Sequence, residues 1–209
     1  MLESRSALES FRRQALDGAN PHSHPGVRLG EVTNTHILHI GLYPGTSTST
    51  GTGTVAAARI AAGVSTALGG PLPDSPNRAA SAGNHLLCRI APDQYWVLGG
   101  GELALEARLR TAIPADAGCV TSLGGARTHL FIEGPRARDL LGRLVPIDLH
   151  PTVFPVSGFA QTGIHHVAGL LLRATEDRYE FFALRTFAAF TWEVLVDAAR
   201  PFGYEFVFP

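Results

Sequence analysis

The sequence predicts an α+β protein made of two intimately packed split β-α-β modules of the ferredoxin-like type, with mostly antiparallel sheets. Three observations support this prediction. Segments of strand and helix character follow the order β-α-β-β-α-β in the first half of the chain. The second half contains three consecutive strand-like segments followed by one strongly amphipathic helix. The length of 209 residues is enough to bury one core or two small ones.

Residues 1–25 are predicted to form an N-terminal arm. Apolar residues at helical spacing over residues 4–16 predict a short amphipathic helix, and the segment DGANPHSHPG that follows ends it with Gly, Asn and Pro. Two alternatives stay open for this helix. In the first, the helix docks on a partner subunit; in the second, it folds back on the core of its own chain.

Residues 26–125 are predicted to form the first module. Gly69 and Gly70 followed by a proline end its first helix, and a Pro-Asp pair at residues 92–93 predicts a turn between two strands. The predicted elements are a strand at 35–42, a helix over Val55–Leu68, strands on both sides of the 92–93 turn, a helix over Glu102–Ile113 and a returning strand CVTSL.

Residues 126–209 are predicted to form the second module. Pro135 is expected at the first position of a short helix, where its missing N–H is not needed, and Thr186 is the candidate N-cap of the last helix. The predicted strands are THLFIEG, FAQTGIHH, AGLLLRAT, RYEFFALR and YEFVF. The adjacent His165 and His166 are expected on a strand and therefore on opposite faces.

Composition and charge argue against several classes of function. A net charge of −1 argues against a nucleic-acid-binding protein, and the absence of lysine excludes a Schiff-base or P-loop lysine. No apolar run is long enough to predict a membrane span, and the charged N-terminal segment lacks a signal core, so we expect a cytoplasmic location. The few charges and many apolar residues favour an extensive interface with other proteins.

No self-contained catalytic, cofactor or metal site is predicted. The sequence GTGTVA at residues 51–56 fits the first half of a dinucleotide fingerprint, but no acidic residue follows at a strand end, so a flexible 44–54 loop is favoured over an anion-binding one. The histidines lack metal-site spacing, and Cys88 and Cys119 are expected to be buried free thiols.

The segment DLHPTVFP and the AQT triplet after it form the densest motif. Asp148 is placed to accept backbone N–H groups in a turn, and Pro151, like the proline four residues later, stiffens the chain. Gln161 and Thr162 are candidates to satisfy the polar groups of the stiffened loop. His150 is expected to be a structural hydrogen-bonding residue rather than a catalytic base. Such a loop suits either a docking surface or a joint in the core.

Residues 70–205 resemble the gamma subunit of heterotetrameric sarcosine oxidases. That family has a G-R-T/S strand, a G-P-x-A-R helix, the D-L-H-P-x-x-F-P and A-Q-T segments, an R-S-F/Y-A segment and a helix with tryptophan. The matching residues are Ala126-Arg127-Thr128, Gly134-Pro135, Asp148-Leu149-His150-Pro151, Phe154-Pro155, Ala160-Gln161-Thr162, Arg185-Thr186-Phe187-Ala188 and Trp192. From these we take as interface candidates Arg127, Asp148, His150, Pro151, Phe154, Gln161, Thr162, Arg185 and Trp192.

The resemblance implies a fold like that of the folate-binding aminomethyltransferase, the glycine-cleavage T-protein. It also implies a complex with alpha, beta and delta subunits that demethylates sarcosine to glycine and leaves a one-carbon unit on folate. The other subunits would hold FAD, FMN, NAD, tetrahydrofolate and zinc, and this chain alone would bind no cofactor. The chain is thus expected to be a non-catalytic structural subunit.

Two alternatives remain. The chain is a stand-alone folate-binding aminomethyltransferase-like protein, with Asp148 or Glu133 as the nearest candidate acid, or a nucleotide-binding module that uses the 51–56 loop. Departures from the family pattern, such as Ala91 in place of glycine, leave open another N-methyl amine or a betaine as the substrate of the complex.

Overall fold

The computed structural model describes residues 6–9, 11, 25–43, 55–99 and 103–207. Their contacts divide the chain into a terminal unit, residues 1–33 and 125–209, and a central unit, residues 34–124. Each unit has its own sheet and helices, and most neighbouring strands are antiparallel. The predicted α+β class is therefore confirmed.

The central unit is a five-stranded antiparallel sheet with two helices. Its elements in chain order are β2 (Ile37–Leu42), α1 (Val55–Leu68), β3 (Ala80–Ala82), β4 (His85–Ala91), β5 (Gln94–Leu98), α2 (Leu103–Ala112) and β6 (Gly118–Ser122). The strand order is β3-β4-β5-β2-β6. Without the short edge strand β3, this is the order of a ferredoxin-like β-α-β-β-α-β unit.

The two helices of the central unit follow from apolar spacing and from their end signals. Ile60, Val64 and Leu68 recur every four residues along α1 and are buried. The helix then ends at Gly69, which has a φ of +79° and donates its N–H to the Ser65 carbonyl at 2.9 Å. Only glycine takes such a left-handed cap position readily, so the predicted end of this helix is explained.

The terminal unit is a six-stranded sheet with strand order β11-β1-β7-β10-β9-β8. Its elements are β1 (Val27–Glu31), β7 (Arg127–Glu133), α3 (Ala137–Leu141), β8 (Phe159–Ile164), β9 (Val167–Arg173), β10 (Arg178–Leu184), α4 (Ala188–Ala199) and β11 (Tyr204–Val207), with 3-10 turns at Arg185–Phe187 and Arg200–Phe202. One sheet face packs with α3 and α4 in a core that includes Leu130, Ile132, Leu140, Tyr179, Phe181, Trp192 and Leu195.

The division of the chain differs from the predicted modules at 26–125 and 126–209. Strand β1 is antiparallel to β7 and parallel to β11, so it belongs to the sheet of the terminal unit. Backbone pairing with distant strands decides this placement, and no local pattern in residues 26–33 reveals such pairing. The chain therefore begins the terminal unit, builds the central unit and then completes the terminal unit.

The described part of the N-terminal arm packs on its own unit. Leu8 is fully buried in the core of the terminal unit. The buried Glu31 carboxylate accepts hydrogen bonds from the Ser6 hydroxyl and, at 3.0 Å, from the Ala7 N–H. Of the two alternatives for the arm, folding back on the same chain holds for residues 6–9. Phe11 also packs against this core, and the other residues of the arm, apart from residue 25, lie outside the described part.

Three local predictions need correction. Helix α4 is entered through a 3-10 turn in which Ala188 donates its N–H to the Arg185 carbonyl, so this backbone bond takes the place of the predicted Thr186 cap. Pro135 lies two residues before α3 rather than at its first position. His165 and His166 lie in the β8–β9 turn with ring centroids 4.0 Å apart, because the hairpin reverses there.

Some predictions fall outside the described residues, among them the 44–54 loop, its GTG sequence and most of the linker before residue 25. Within the described ranges, no helix has both the length and the apolar character needed to cross a bilayer.

Candidate functional site

The motif loop between α3 and β8 is held by short-range hydrogen bonds. The Asp148 carboxylate accepts the His150 N–H at 2.8 Å, as its sequence position predicted. His150 Nδ1 lies 2.7 Å from the Thr152 hydroxyl, and its carbonyl accepts the N–H groups of Val153 and Phe154 at 2.9 and 2.8 Å. The polar groups of this motif are therefore engaged in turns of the loop.

The loop places some of its apolar residues in the core and others at the surface. Leu149 and Phe154 are buried and join the core of the terminal unit. Val153 and Val156 point the other way and are 61% and 38% exposed. Burial of the two inner side chains anchors the loop, so the two valines are presented on a fixed backbone.

Arg173, at the end of β9, is the main residue that sequence reasoning missed. Its side chain is only 6% exposed, and its guanidinium donates to the carbonyls of Phe154 at 2.9 Å and Glu176 at 2.8 Å. Its backbone accepts the N–H of Ser157 and donates to the carbonyl of Gly158, both at 2.9 Å. Arg173 thus joins the motif loop to the β9–β10 turn.

Gln161 and Thr162, the residues predicted to satisfy polar groups of the loop, follow it on the next strand. Both lie on β8, where they pair in register with Leu170 and Gly169 of β9. The loop carbonyl of Phe154 accepts a hydrogen bond from the Arg173 guanidinium. The only signal in the sequence was an arginine that follows three leucines in a strand, a position at which burial requires hydrogen-bond partners.

A surface pocket of about 390 Å³ lies beside the loop. Pro135, Pro151, Pro155 and Val156 supply apolar wall, and Arg138, Arg173, Glu176 and Asp177 supply charge. Among the ion pairs formed by the described residues, none joins either arginine to either acid. The pocket therefore has side chains of both signs that form no ion pair with each other.

The remaining candidates of the motif are far from this loop or below the surface. Arg127 begins β7 and pairs in register with Leu184, and Arg185 donates its N–H to the Ala126 carbonyl at 3.0 Å. Burial lowers the pKa of Arg127. The pocket lies near the other end of β7, about 20 Å away at the usual rise per strand residue. Trp192 is a core residue that packs on Phe206, with ring centroids 5.2 Å apart.

A network of paired charges crosses β1, β7 and β10. Glu133 lies 3.7 Å from Arg28 and 3.2 Å from Arg178, and Arg178 also contacts Glu180 at 3.1 Å. His129 Nε2 lies 3.2 Å from the Glu180 carboxylate. Burial acts to raise the pKa of Glu180, but the hydrogen bond and charge of His129, with those of Arg178, outweigh it and hold the pKa below its ordinary value.

A second exposed apolar feature lies at the start of α4. We call it the apolar ridge, and it consists of Leu184, Phe187 and Phe190, which are 44%, 47% and 43% exposed. The ring of His165 contacts Phe190 edge-on, with centroids 6.1 Å apart. Phe187 lies in the segment Arg185-Thr186-Phe187-Ala188 that matches the family pattern, and its exposed side chain is not part of the buried core.

The described residues do not assemble a cluster that could hold a metal ion, and their two cysteines differ in exposure. None of their His, Cys, Asp and Glu side chains form a group of three or more that could hold a metal ion. Burial raises the pKa of the Cys88 thiol to about 12, so it stays protonated at neutral pH. Cys119 is exposed, contrary to the prediction that it is buried, because it faces away from the core on the edge strand β6.

The comparisons with known proteins agree with the family resemblance that the motif indicated. Residues 52–200 match the model of the "Sarcosine oxidase, gamma subunit family". The chain is 29% identical over 189 residues to the sarcosine oxidase subunit gamma of Corynebacterium sp. (strain U-96). The aligned residues make up 90% of this chain and 87% of that subunit. A subunit gamma from Arthrobacter sp. is 29% identical over 144 residues, 68% of this chain and 70% of its own length.

Solved structures show the same relationship. A chain of the heterotetrameric sarcosine oxidase from Corynebacterium sp. U-96, in complex with pyrrole 2-carboxylate, matches with a TM-score of 0.80 and 26% identity over 95% of both chains. The glycine cleavage system aminomethyltransferase T from Bartonella henselae matches with a TM-score of 0.65 and 16% identity, over 98% of this chain and 60% of that one. The fold is therefore aminomethyltransferase-like.

Proposed function

This chain belongs to the sarcosine oxidase gamma subunit family, and from that premise we propose that it is a non-catalytic, structural subunit of a heterotetrameric oxidase. The substrate of the assembly is sarcosine or a related N-methyl amino acid, which is demethylated to glycine. One observation carries the non-catalytic role. The polar residues of the family motif, Asp148 and His150, are engaged in bonds that hold a loop rather than directed at a shared reaction site.

The proposal extends to the partners and the chemistry of the complex. Alpha, beta and delta subunits complete the assembly, and they hold FAD, FMN, NAD, tetrahydrofolate and zinc. The methyl carbon leaves as a one-carbon unit on folate. The assembly is cytoplasmic. The gamma chain stabilises this complex by presenting fixed surfaces to its neighbours.

Co-expression tests this role. The chain purified alone is expected to bind no flavin and to leave sarcosine unoxidised. Produced with the alpha, beta and delta reading frames of the same host, it is expected to co-purify with them at fixed stoichiometry. A solo chain that oxidises sarcosine, or a full oxidase that assembles and works without this chain, would contradict the proposal.

One observation favours a second candidate, a stand-alone folate-binding aminomethyltransferase-like protein. The fold matches that of an aminomethyltransferase over nearly the whole chain. The two acids considered for such a role are engaged elsewhere, since Asp148 accepts a turn N–H and Glu133 lies within ion-pair distance of Arg28 and Arg178. Calorimetry with tetrahydrofolate separates the candidates. Micromolar binding by the isolated chain would support the second one, and we expect none.

A further inference from the structure

We propose that the motif loop and its pocket dock on another subunit whose surface carries an apolar contact flanked by one acidic and one basic group. We call this region the loop surface, and it consists of Val153 and Val156 with the pocket charges of Arg138, Glu176 and Asp177. The inference rests on the proposed function, because it names the surface by which the gamma chain joins its complex.

The first argument is the charge pattern of the pocket. Arg138, Glu176 and Asp177 are exposed, and no ion pair among the described residues joins this arginine to either acid. The buried Arg173 adds a second positive charge, which is bonded to two carbonyls rather than to a carboxylate. A neighbour that pairs these charges needs groups of both signs. Complementary charge across an interface fixes its register and excludes wrong partners.

The second argument is the exposed apolar contact beside these charges. Val153 is 61% exposed, although valine is a residue that proteins tend to bury. Val156 is also exposed and forms part of the pocket wall, so apolar and charged groups are continuous there. An apolar centre with charged groups at its edge is the usual anatomy of a protein interface.

The third argument is that the surface is already fixed. Two guanidinium bonds from Arg173, the Asp148 turn and the buried Phe154 hold the loop from three sides. Two prolines at 151 and 155 restrict its backbone further. A surface that is ordered before binding loses little conformational entropy on association, which favours tight docking.

Binding of the full-length chain to the complex of the other subunits tests the inference. Arg138→Glu reverses the pocket cation, and Val153→Asp places a charge in the apolar contact. Each is expected to weaken binding by about tenfold or more, the scale of a hot-spot residue. Arg59→Glu is the matched control, because Arg59 is an exposed helical arginine of the central unit. It is expected to bind like the wild type.

Salt dependence provides a second readout. Wild-type affinity is expected to fall between about 0.05 and 0.5 M NaCl, because salt screens exposed charge pairs. The fall should be shallower for Arg138→Gln, which removes the charge without reversing it. Thermal unfolding by circular dichroism checks that each variant is folded, and both arginine variants should match the wild type because the side chain is exposed.

The outcomes separate this inference from the proposed function. Loss of affinity in both surface variants, with the control unchanged, supports the loop surface. If the wild type binds the complex and the folded surface variants bind equally well, the inference is overturned and the structural-subunit role stands. If the wild type does not bind the complex at all, the proposed function itself fails.

Discussion

Two groups of charged side chains lie on the terminal unit, one across strands β1, β7 and β10 and the other around the pocket beside β9. In the strand network, Glu133 and Glu180 each lie within ion-pair distance of two basic residues. In the pocket, Arg138, Glu176 and Asp177 form no ion pair with one another. The charges of the first group pair with one another within the fold, and we propose that those of the second group pair with another subunit.

This difference separates two roles for charge in one small unit. Partly buried ion pairs with several hydrogen bonds contribute to folding, whereas exposed charges contribute little to stability and remain available for association. Substitutions in the network should therefore change stability and its pH dependence. Substitutions in the pocket should change subunit binding and its salt dependence.

The largest expected effect is that of Arg173→Met, because the buried Arg173 joins the motif loop to the β9–β10 turn. The variant removes two hydrogen bonds from a buried guanidinium and leaves the Phe154 and Glu176 carbonyls without that donor. We expect the free energy of unfolding to fall by about 3 kcal/mol, since charged hydrogen bonds are worth about 1.5–3 kcal/mol each. Denaturant unfolding measures this.

Binding of Arg173→Met to the other subunits is also measured, under conditions where the variant is folded. Loosening of the loop should weaken subunit binding even though the pocket charges Arg138, Glu176 and Asp177 are unchanged. Unaltered stability in Arg173→Met would contradict the role of Arg173 in joining the loop to the β9–β10 turn.

A smaller effect is expected for Glu180→Gln in the strand network. The variant should lose about 2 kcal/mol of stability near neutral pH, the scale of a hydrogen bond to a charged group. Because the pKa of Glu180 lies below its ordinary value in the folded state, its contribution is present above that value and is lost as pH falls through the folded pKa. The stability difference between wild type and variant should therefore shrink in acid.

Unfolding of both proteins at a series of pH values measures this convergence. Once the folded fraction is taken into account, the affinity of Glu180→Gln for the other subunits should match that of the wild type. A stability difference that persists unchanged at low pH would show that the carboxylate charge is not the source of the effect.

The smallest effect on stability is expected for the apolar ridge. The variant Phe187→Ser alters a side chain that is 47% exposed, so only about half of the burial of one ring is lost and stability should fall by about 1 kcal/mol. No charge is altered, and the salt dependence of subunit binding should stay that of the wild type. Binding measured at several salt concentrations decides this, and a flattened salt dependence would place the charged contact at the ridge.

Local patterns predicted much of the fold. Apolar spacing and the glycines at 69–70 located α1 at Val55–Leu68, and the turn residues at 92–93 separated β4 from β5. The pairing of β1 with β7 and β11 could not be predicted from the sequence. It joins segments about 100 residues or more apart through backbone hydrogen bonds, which leave no local sequence pattern.

The candidate site was predicted in part for a similar reason. Asp148 and the prolines predicted a rigid turn, because an aspartate accepts nearby backbone N–H groups and prolines restrict the backbone. The turn is present. Arg173 was missed because its partners are backbone carbonyls of Phe154 and Glu176, which every sequence contains. The exposure of Phe187 was equally hidden, since an aromatic residue at the start of an amphipathic helix normally indicates core.

Photo-crosslinking in the assembled oxidase tests the central claim most directly. A benzophenone amino acid replaces Val153 in one preparation and Arg59 in another, and both chains are produced with the other subunits. We predict that irradiation joins position 153 to another subunit, at a site with both acidic and basic residues nearby, and that position 59 gives no such product. Crosslinks from position 59 but not from position 153, in a complex that retains full activity, would contradict the docking role of the loop surface.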